Sequence, residues 1–512
     1  MKLKTKFIFL MLSSFTLSSY ANTEMMQTLL SGSNIINVDN IYSHLKKLQE
    51  ISDQNFGNRA SGLPGHELSA NYIAQKLLAA GYDVKFSPYT YTKYEKTGPA
   101  ILTNLTNENE IYEEETHYQV MPYSPSGSIS GVIEAVDLSL GLGNSSTSGC
   151  EVDDFKSFTK GNIALIQRGE CTFVTKALNA QNAGASAVII FNQGNDETRK
   201  ELFGGTLGEK STVKISVLSA TYDLGEKLSK QNQESLKVVT ETSISNAISY
   251  NVIAETKNGN PNNIVMLGSH LDGVTEGPGI NDNGSGSSAI LEVALTMAKM
   301  NLNNKVRFAW WGSEELGLIG SREYVAALTE KDKEDIALYL NFDMIASPNY
   351  MIGIFDGNAS LTEYKAPKGS YAIESLFQHY FDINGQNHIE IESSGRSDYA
   401  AFAEVGIPYG GLFTGAEGLM TKEEALLFNG TEGQPYDSCY HKACDNIDNI
   451  NLDALEINSN AIAFMALSFS HSTAAIEAEI NAPDLPATRV AQSDGGYIPS
   501  DIGHDLHSLE IK

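Results

Sequence analysis

The sequence predicts an α/β fold: a mainly parallel sheet covered by helices on both faces, alongside a β-rich α+β segment. Three observations predict it. From Tyr250 onward, short apolar runs alternate with helical periods, and alternation of this length places parallel strands under a cover of helices. Between about Ala100 and Ile248 the texture differs, with short β-like runs separated by Ser/Gly-rich turns such as Ser124-Pro-Ser-Gly-Ser-Ile-Ser-Gly131. Ahead of that stretch, residues 67–80 carry an amphipathic helical period that stops at Gly81.

Along the chain, the first element is an expected export signal over residues 1–21. Lys2, Lys4 and Lys6 precede an apolar run, and Ser19-Tyr20-Ala21 supplies small residues for cleavage. That run is too short to span a bilayer, and no later run is long and apolar enough to do so. The mature chain is therefore expected to be secreted or periplasmic, with no membrane partner. Residues 41–51 follow as a helix, with Ile41, Leu45, Leu48 and Ile51 on one face. Tyr82 begins a strand. In the β-rich segment, Gly161-Asn-Ile-Ala-Leu-Ile-Gln-Arg-Gly-Glu-Cys-Thr-Phe173 reads as strand and turn. A helix over 174–183, a stop at Gly184 and a buried strand over 187–191 come next. The regular part then gives strand 263–268, helix 284–300, strand 305–311, helix 315–328, strand 336–342 and a buried final helix over 451–475. The last residues, from Asn481, show no period and read as a poorly ordered tail.

At 512 residues, the chain has room for two or three domains with their own cores. The net charge of −28 disfavours nucleic acid as a partner, because phosphate is repelled. Its plain reading is solubility. Cys150, Cys171, Cys439 and Cys444 suit an oxidising compartment. Pairing within each local couple is favoured, although spacing alone does not choose the connectivity. Thiolate zinc ligation is the competing use, and no C-x-x-C pair supports it.

Chemistry concentrates after the apolar runs. His270-Leu-Asp272 ends one run, and Asp282 lies in G-I-N-D-N-G-S-G before a helix. Glu314-Glu315 follows W-W-G-S, and Asp343 follows L-N-F. His441 arrives much later, in Cys439-Tyr-His-Lys-Ala-Cys444. Each position alone has an ordinary explanation: a helix cap for Asp282, or a first-turn acid pair favoured by the helix dipole for Glu314-Glu315. Taken together, two histidines and several carboxylates suit a pair of zinc ions sharing a bridging carboxylate. Of the adjacent glutamates, one can bind metal while the other serves as general base. Asp272 can fix the tautomer of His270. The chain reads as a metallohydrolase; a serine hydrolase is disfavoured, because no G-x-S-x-G elbow is present.

These strings carry a resemblance. G-S-H-L-D, G-I-N-D-N-G-S-G, W-G-S-E-E-L-G-L-I-G-S, N-F-D-M, S-G-R-S-D-Y-A-A-F and C-Y-H-K-A-C-D-N, spread from Val252 to about Ser470, resemble the exported di-zinc aminopeptidases. That family includes bacterial leucine-type aminopeptidases, aminopeptidase Y and glutamate carboxypeptidase. The I-A-L-I-Q-R-G-E-C-T-F string and the later G-A-S-A-V-I-I-F string resemble the protease-associated domain.

The resemblance implies a zinc-peptidase fold with a mixed, mainly parallel sheet. It also implies an order: 22–99 as the start of the catalytic domain, 100–248 as the inserted protease-associated domain, 249–478 as the rest of the catalytic domain, and 479–512 as the tail. His270 and Asp343 would hold one zinc, Glu315 and His441 the other, and Asp282 would bridge the two ions. Glu314 would be the general base acting on a metal-bridging water, and Asp272 would orient His270. Tyr440 would help polarise the scissile carbonyl. Glu390 and Arg396 would lie near the substrate's amino group, Phe413 in an apolar side-chain pocket, and Asp398 behind the ligands. The implied substrate is a peptide or protein with a free N-terminus, with preference for apolar first residues. The alternatives are carboxypeptidase action of the glutamate carboxypeptidase type, or a non-catalytic binding protein.

Overall fold

The computed structural model describes residues 36–482 apart from 108–109, 111, 232 and 362–365. The expected export signal and the tail beyond residue 482 lie outside the described residues. The chain divides into two compact units. One runs from Thr90 to Ile248, and the other joins the described residues up to Tyr89 with those from Ser249 onward.

The larger unit is built on an 8-stranded sheet. Its spatial order is Asp83–Lys96, Thr242–Glu255, Asn304–Trp311, Asn260–His270, Ile336–Phe342, Tyr409–Phe413, Gly353–Phe355 and Ile389–Ile391. The four central strands are mutually parallel. Thr242–Glu255 pairs antiparallel to Asn304–Trp311, and Gly353–Phe355 antiparallel to Tyr409–Phe413, so the sheet is mixed, as the resemblance implies. The central strands carry apolar runs because both faces are covered. Alternate residues of one strand enter different cores. Val265, Leu267, Trp310 and Leu340 meet Ile290, Phe464 and Leu45 on one face. Met266, Trp311 and Tyr339 meet Val325 and Phe402 on the other.

The helix Val38–Asp53 buries Ile41, Leu45, Leu48 and Ile51 together, the face read from their spacing. The helix Pro64–Ala80 starts on a proline and stops at Gly81, whose φ of 97° lets its N–H reach the carbonyls of Leu77 and Leu78.

Two helices begin later than the sequence predicts, and both delays fall beside candidate residues. The expected helix from Glu315 starts at Ile319. Ser313, Gly317 and Leu318 take positive φ, and the N–H groups of Gly317 and Leu318 turn back to the Glu314 carbonyl at 2.8 and 2.9 Å. The helix expected from Gly284 starts at Gly286, after an irregular turn Ile280–Ser285 in which Asp282 is extended. The final helix is Leu452–His471, and a separate helix, Ala474–Ile480, follows an extended Ser472.

The smaller unit holds a 7-stranded sheet in the order Ile101–Asn104, Ser235–Thr240, Gly127–Val136, Ile163–Gln167, Ala187–Phe191, Ser216–Ala220 and Tyr118–Val120. The helix Phe173–Ala183 is capped by the Thr172 side chain and stopped by Gly184 at φ 94°. Apolar clusters lie on both faces of this sheet. Cys150 and Cys171 are joined in a disulfide.

Candidate metal centre

Three neighbouring strands deliver the first acids and a histidine. Asn260–His270 lies between Asn304–Trp311 and Ile336–Phe342, parallel to both. His270, the Glu314-Glu315 pair and Asp343 therefore leave the sheet at the carboxyl ends of adjacent strands, where ligand sites of open α/β sheets form.

His270 is 1% exposed. Its Nδ1 lies 3.0 Å from the main-chain carbonyl of Asp272. A carbonyl only accepts, so Nδ1 carries a proton and Nε2 is the ring nitrogen left to face the cluster. That nitrogen meets carboxylates: Asp282 Oδ1 and Asp343 Oδ1 at 3.2 Å each, and Glu314 Oε2 at 3.9 Å. The orienting partner of His270 is thus the backbone of Asp272. The Asp272 carboxylate lies 3.8 Å from the ring and accepts the Glu314 N–H at 3.2 Å.

His441 sits inside the short loop closed by the Cys439–Cys444 disulfide. Its Nε2 lies 2.9 Å from Glu315 Oε2 and 3.2 Å from Asp282 Oδ2. Asp282 consequently offers one oxygen to each histidine. Donor atoms of His270, Glu314 and Asp343 lie within 4.8 Å of one another, and so do those of His270, Asp282 and Glu315.

This arrangement fits a metal centre. Imidazole nitrogens and carboxylate oxygens converge, and Glu315 Oε1 and Asp272 Oδ2 are buried without a hydrogen-bond partner. Such a cluster is unfavourable unless cations or protons neutralise it. Two imidazoles with hard carboxylates are a zinc donor set.

The protonation equilibria show the same frustration. Burial opposes charge on His270, but Asp343, Glu314 and Asp282 outweigh it and hold its pKa well above the usual value. Burial likewise opposes charge on His441, yet Glu315 and Asp282 push it up to about 11. Burial raises Glu314 far above the carboxylate range, with Asp343, Asp398 and Glu315 adding to it. Burial and the neighbouring Asp282 raise Glu315 to about 7. Burial raises Asp272 to about 6 and Asp398 to about 7. Asp282 is lowered despite its burial, because both histidines donate to it.

Side chains behind the cluster hold it in place. Ser397 Oγ donates to Asp343 Oδ2 at 2.6 Å and accepts from Asn341 Nδ2 at 2.9 Å. Tyr339 and Trp311 extend this chain into the core. Asp445, next to the disulfide loop, accepts the N–H groups of Asn281 and Asp282 at 2.8 and 3.0 Å. It ties the loop of His441 to the turn of Asp282. Ser313, Met344 and His441 take φ of 55°, 50° and 56°, so strained backbone lies at or beside three of the converging groups.

The remaining candidates are distributed unevenly. The Tyr440 ring stacks on His441 with centroids 3.8 Å apart. Arg396 Nη2 donates toward Tyr440 Oη at 3.5 Å, and Nη1 donates to Glu417 at 2.9 Å. Phe413 ends its strand half-buried against both cores. Asp398 is buried at the start of the short helix Tyr399–Ala403, with the charges of Asp343 and Asp272 acting on it. Glu390 belongs to another group. Strand alternation turns Ile389 and Ile391 to the core, and Glu390 accepts from Ser360 Oγ at 3.0 Å and Gln378 Nε2 at 2.8 Å.

Sequence reading missed Arg59, Ser397 and Asp445. Ser397 and Asp445 lay inside strings already singled out, S-G-R-S-D and C-Y-H-K-A-C-D-N. Arg59 had no comparable signal in its Gly/Pro/Ser loop.

Comparison with known proteins agrees with the geometry. Residues 251–466 match the peptidase family M28, and residues 134–228 match the PA domain. An aminopeptidase of Pseudomonas aeruginosa is 49% identical over 447 residues, covering 87% of this chain and 83% of the relative. A probable leucine aminopeptidase 2 of Aspergillus oryzae is 38% identical, covering 82% of this chain and 81% of the relative. Among solved structures, an aminopeptidase from Aneurinibacillus sp. strain AM-1 matches with a TM-score of 0.66 at 25% identity, covering 84% of this chain and 93% of that one. A zinc aminopeptidase from Bacillus subtilis matches with a TM-score of 0.60 at 25% identity, covering 85% and 96%. On this identity, carried across most of the length of its relatives, the chain belongs to peptidase family M28 as a metallopeptidase and carries a PA domain.

Proposed function

We propose that the protein is an exported aminopeptidase that uses two zinc ions to hydrolyse the first peptide bond of substrates with a free N-terminus, preferring apolar first residues. The observation that carries this reading is the placement of Asp282, with one carboxylate oxygen facing each of two histidines and further acids flanking both. His270 and Asp343 would hold one ion, Glu315 and His441 the other, and Asp282 both. When bound, zinc polarises the scissile carbonyl and makes water nucleophilic near neutral pH.

The chain's own residues supply the proton transfers. Glu314, buried and unused as a ligand in this assignment, takes the proton of the attacking water and delivers it to the departing amine. Tyr440 Oη donates to the developing oxyanion. Arg396, beside Tyr440, and Phe413, at the strand end, are assigned to the substrate's first residue. Glu390, whose hydrogen bonds run to Ser360 and Gln378, is left out of that assignment. Export is supported by the amino-terminal signal pattern and the two disulfides.

A panel of leucine, lysine and glutamate arylamides, run beside acyl-blocked peptides with and without chelator, tests this reading. Cleavage of the leucine substrate should dominate, stop with chelator and return with zinc. Preferential release of C-terminal residues from blocked peptides would replace the aminopeptidase reading with a carboxypeptidase one.

A further inference from the structure

Arg59 precedes the helix Pro64–Ala80 and is fully buried. A buried guanidinium needs acceptors for its donors. Here they are main-chain carbonyls: Nη1 donates to Leu271, Nε to Pro278 at 2.8 Å, and Nη2 to Gly279. The carbonyl of Arg59 itself accepts the Gly273 N–H at 3.3 Å. Leu271 and Gly273 flank Asp272, while Pro278 and Gly279 lead into the turn that carries Asp282. A single planar fork therefore grips both segments, a geometry that an ammonium group cannot reproduce. The fit is close. Gly279 has φ +62°, and a Cβ there would stand 3.1 Å from Nη2 and press on the Asp282 carbonyl.

We infer that Arg59 is a positioning residue for the metal centre: it cross-ties the strand end bearing His270 and Asp272 to the turn bearing Asp282, and so sets the spacing of the donors. Arg59 itself offers no ligand atom. Its effect is on how well the donors are arranged before an ion arrives. This rests on the two-zinc site proposed above.

The test uses the full-length protein. Metal-free wild type, Arg59→Lys and Arg59→Gln are titrated with zinc against a chromophoric chelator, and each metal-free form is melted in parallel. Lys keeps the charge without the fork, and Gln keeps some donors without the charge. Both should bind zinc about 10- to 100-fold more weakly, the usual effect of losing support behind a metal site. A purely structural residue would lower the melting temperature of the metal-free protein and leave the zinc affinity of the folded fraction unchanged; that result overturns the inference. Gly279→Ala disturbs the same contact from the other segment and stands in if the Arg59 variants do not fold. It should weaken zinc binding too, and unchanged affinity there also overturns the inference. A wild type that takes up no zinc removes the metal-site reading itself, independently of Arg59.

Discussion

His441 faces Glu315 across 2.9 Å, Nε2 to Oε2, and the same nitrogen lies 3.2 Å from Asp282. The pairing depends on a loop of six residues closed by a disulfide and pinned by Asp445. His441→Ala removes that imidazole and should retain one zinc per chain instead of two. Zinc content after gel filtration checks it. Two tightly held ions in the variant would remove His441 from the ligand set.

Glu314 separates chemistry from binding. Its backbone N–H is held by Asp272 Oδ1 at 3.2 Å, so the position of the residue does not depend on its own carboxylate. Glu314→Gln should keep both ions and lower kcat by about 10²- to 10⁴-fold, the range for losing a general base. Near-normal turnover by the zinc-loaded variant would exclude this role.

A pH prediction comes from the second acidic group. Glu374 is 1% exposed and packs near Glu390 and Asp356. Burial, then its acidic neighbours, raise its pKa from 4.5 to about 7, although the Gly357 N–H opposes the shift. An acid whose folded pKa is raised binds more protons folded than unfolded, so stability falls as pH rises between those two values. Above about 7 the whole penalty is present, and below about 4.5 it vanishes. Glu374→Gln removes the titration, and its amide can donate to Glu390. The variant should therefore be more stable than wild type at about pH 8, by on the order of 1–3 kcal/mol, with the gap closing toward about pH 5. Urea unfolding of both proteins at each pH measures the gap, and a gap independent of pH would refute the assignment.

The strands of the parallel core, the helix faces and the identity of the converging acids were legible because they depend on local patterns. Apolar runs such as the one that ends before His270 mark doubly covered strands, and an acid directly after a buried run is costly unless it is paired or bound to a cation. The parts that stayed hidden depend on contacts between distant segments. Arg59 reaches carbonyls more than 200 positions away, and carbonyls leave no mark in a sequence. Asp272 was expected to orient His270 through its carboxylate; its backbone carbonyl does so. The helix starts after Glu314 and Asp282 were misplaced for a related reason: the backbone leaves helical geometry where it must aim those side chains, against local propensity.

Tyr440 offers the sharpest test of how the reaction is assisted. Its ring lies on His441 at a centroid distance of 3.8 Å, and its hydroxyl faces the Arg396 guanidinium at 3.5 Å. Tyr440→Phe keeps the stacking surface and removes only the hydroxyl. A hydroxyl that stabilises charge developing on the scissile carbonyl acts in the transition state and contributes little to ground-state binding. The variant should then lose about 10²- to 10³-fold in kcat, as when one oxyanion donor is removed, with KM nearly constant and both zinc ions retained. A rise in KM with unchanged kcat would instead make Tyr440 a substrate-binding residue, its hydroxyl contributing equally to the bound substrate and the transition state.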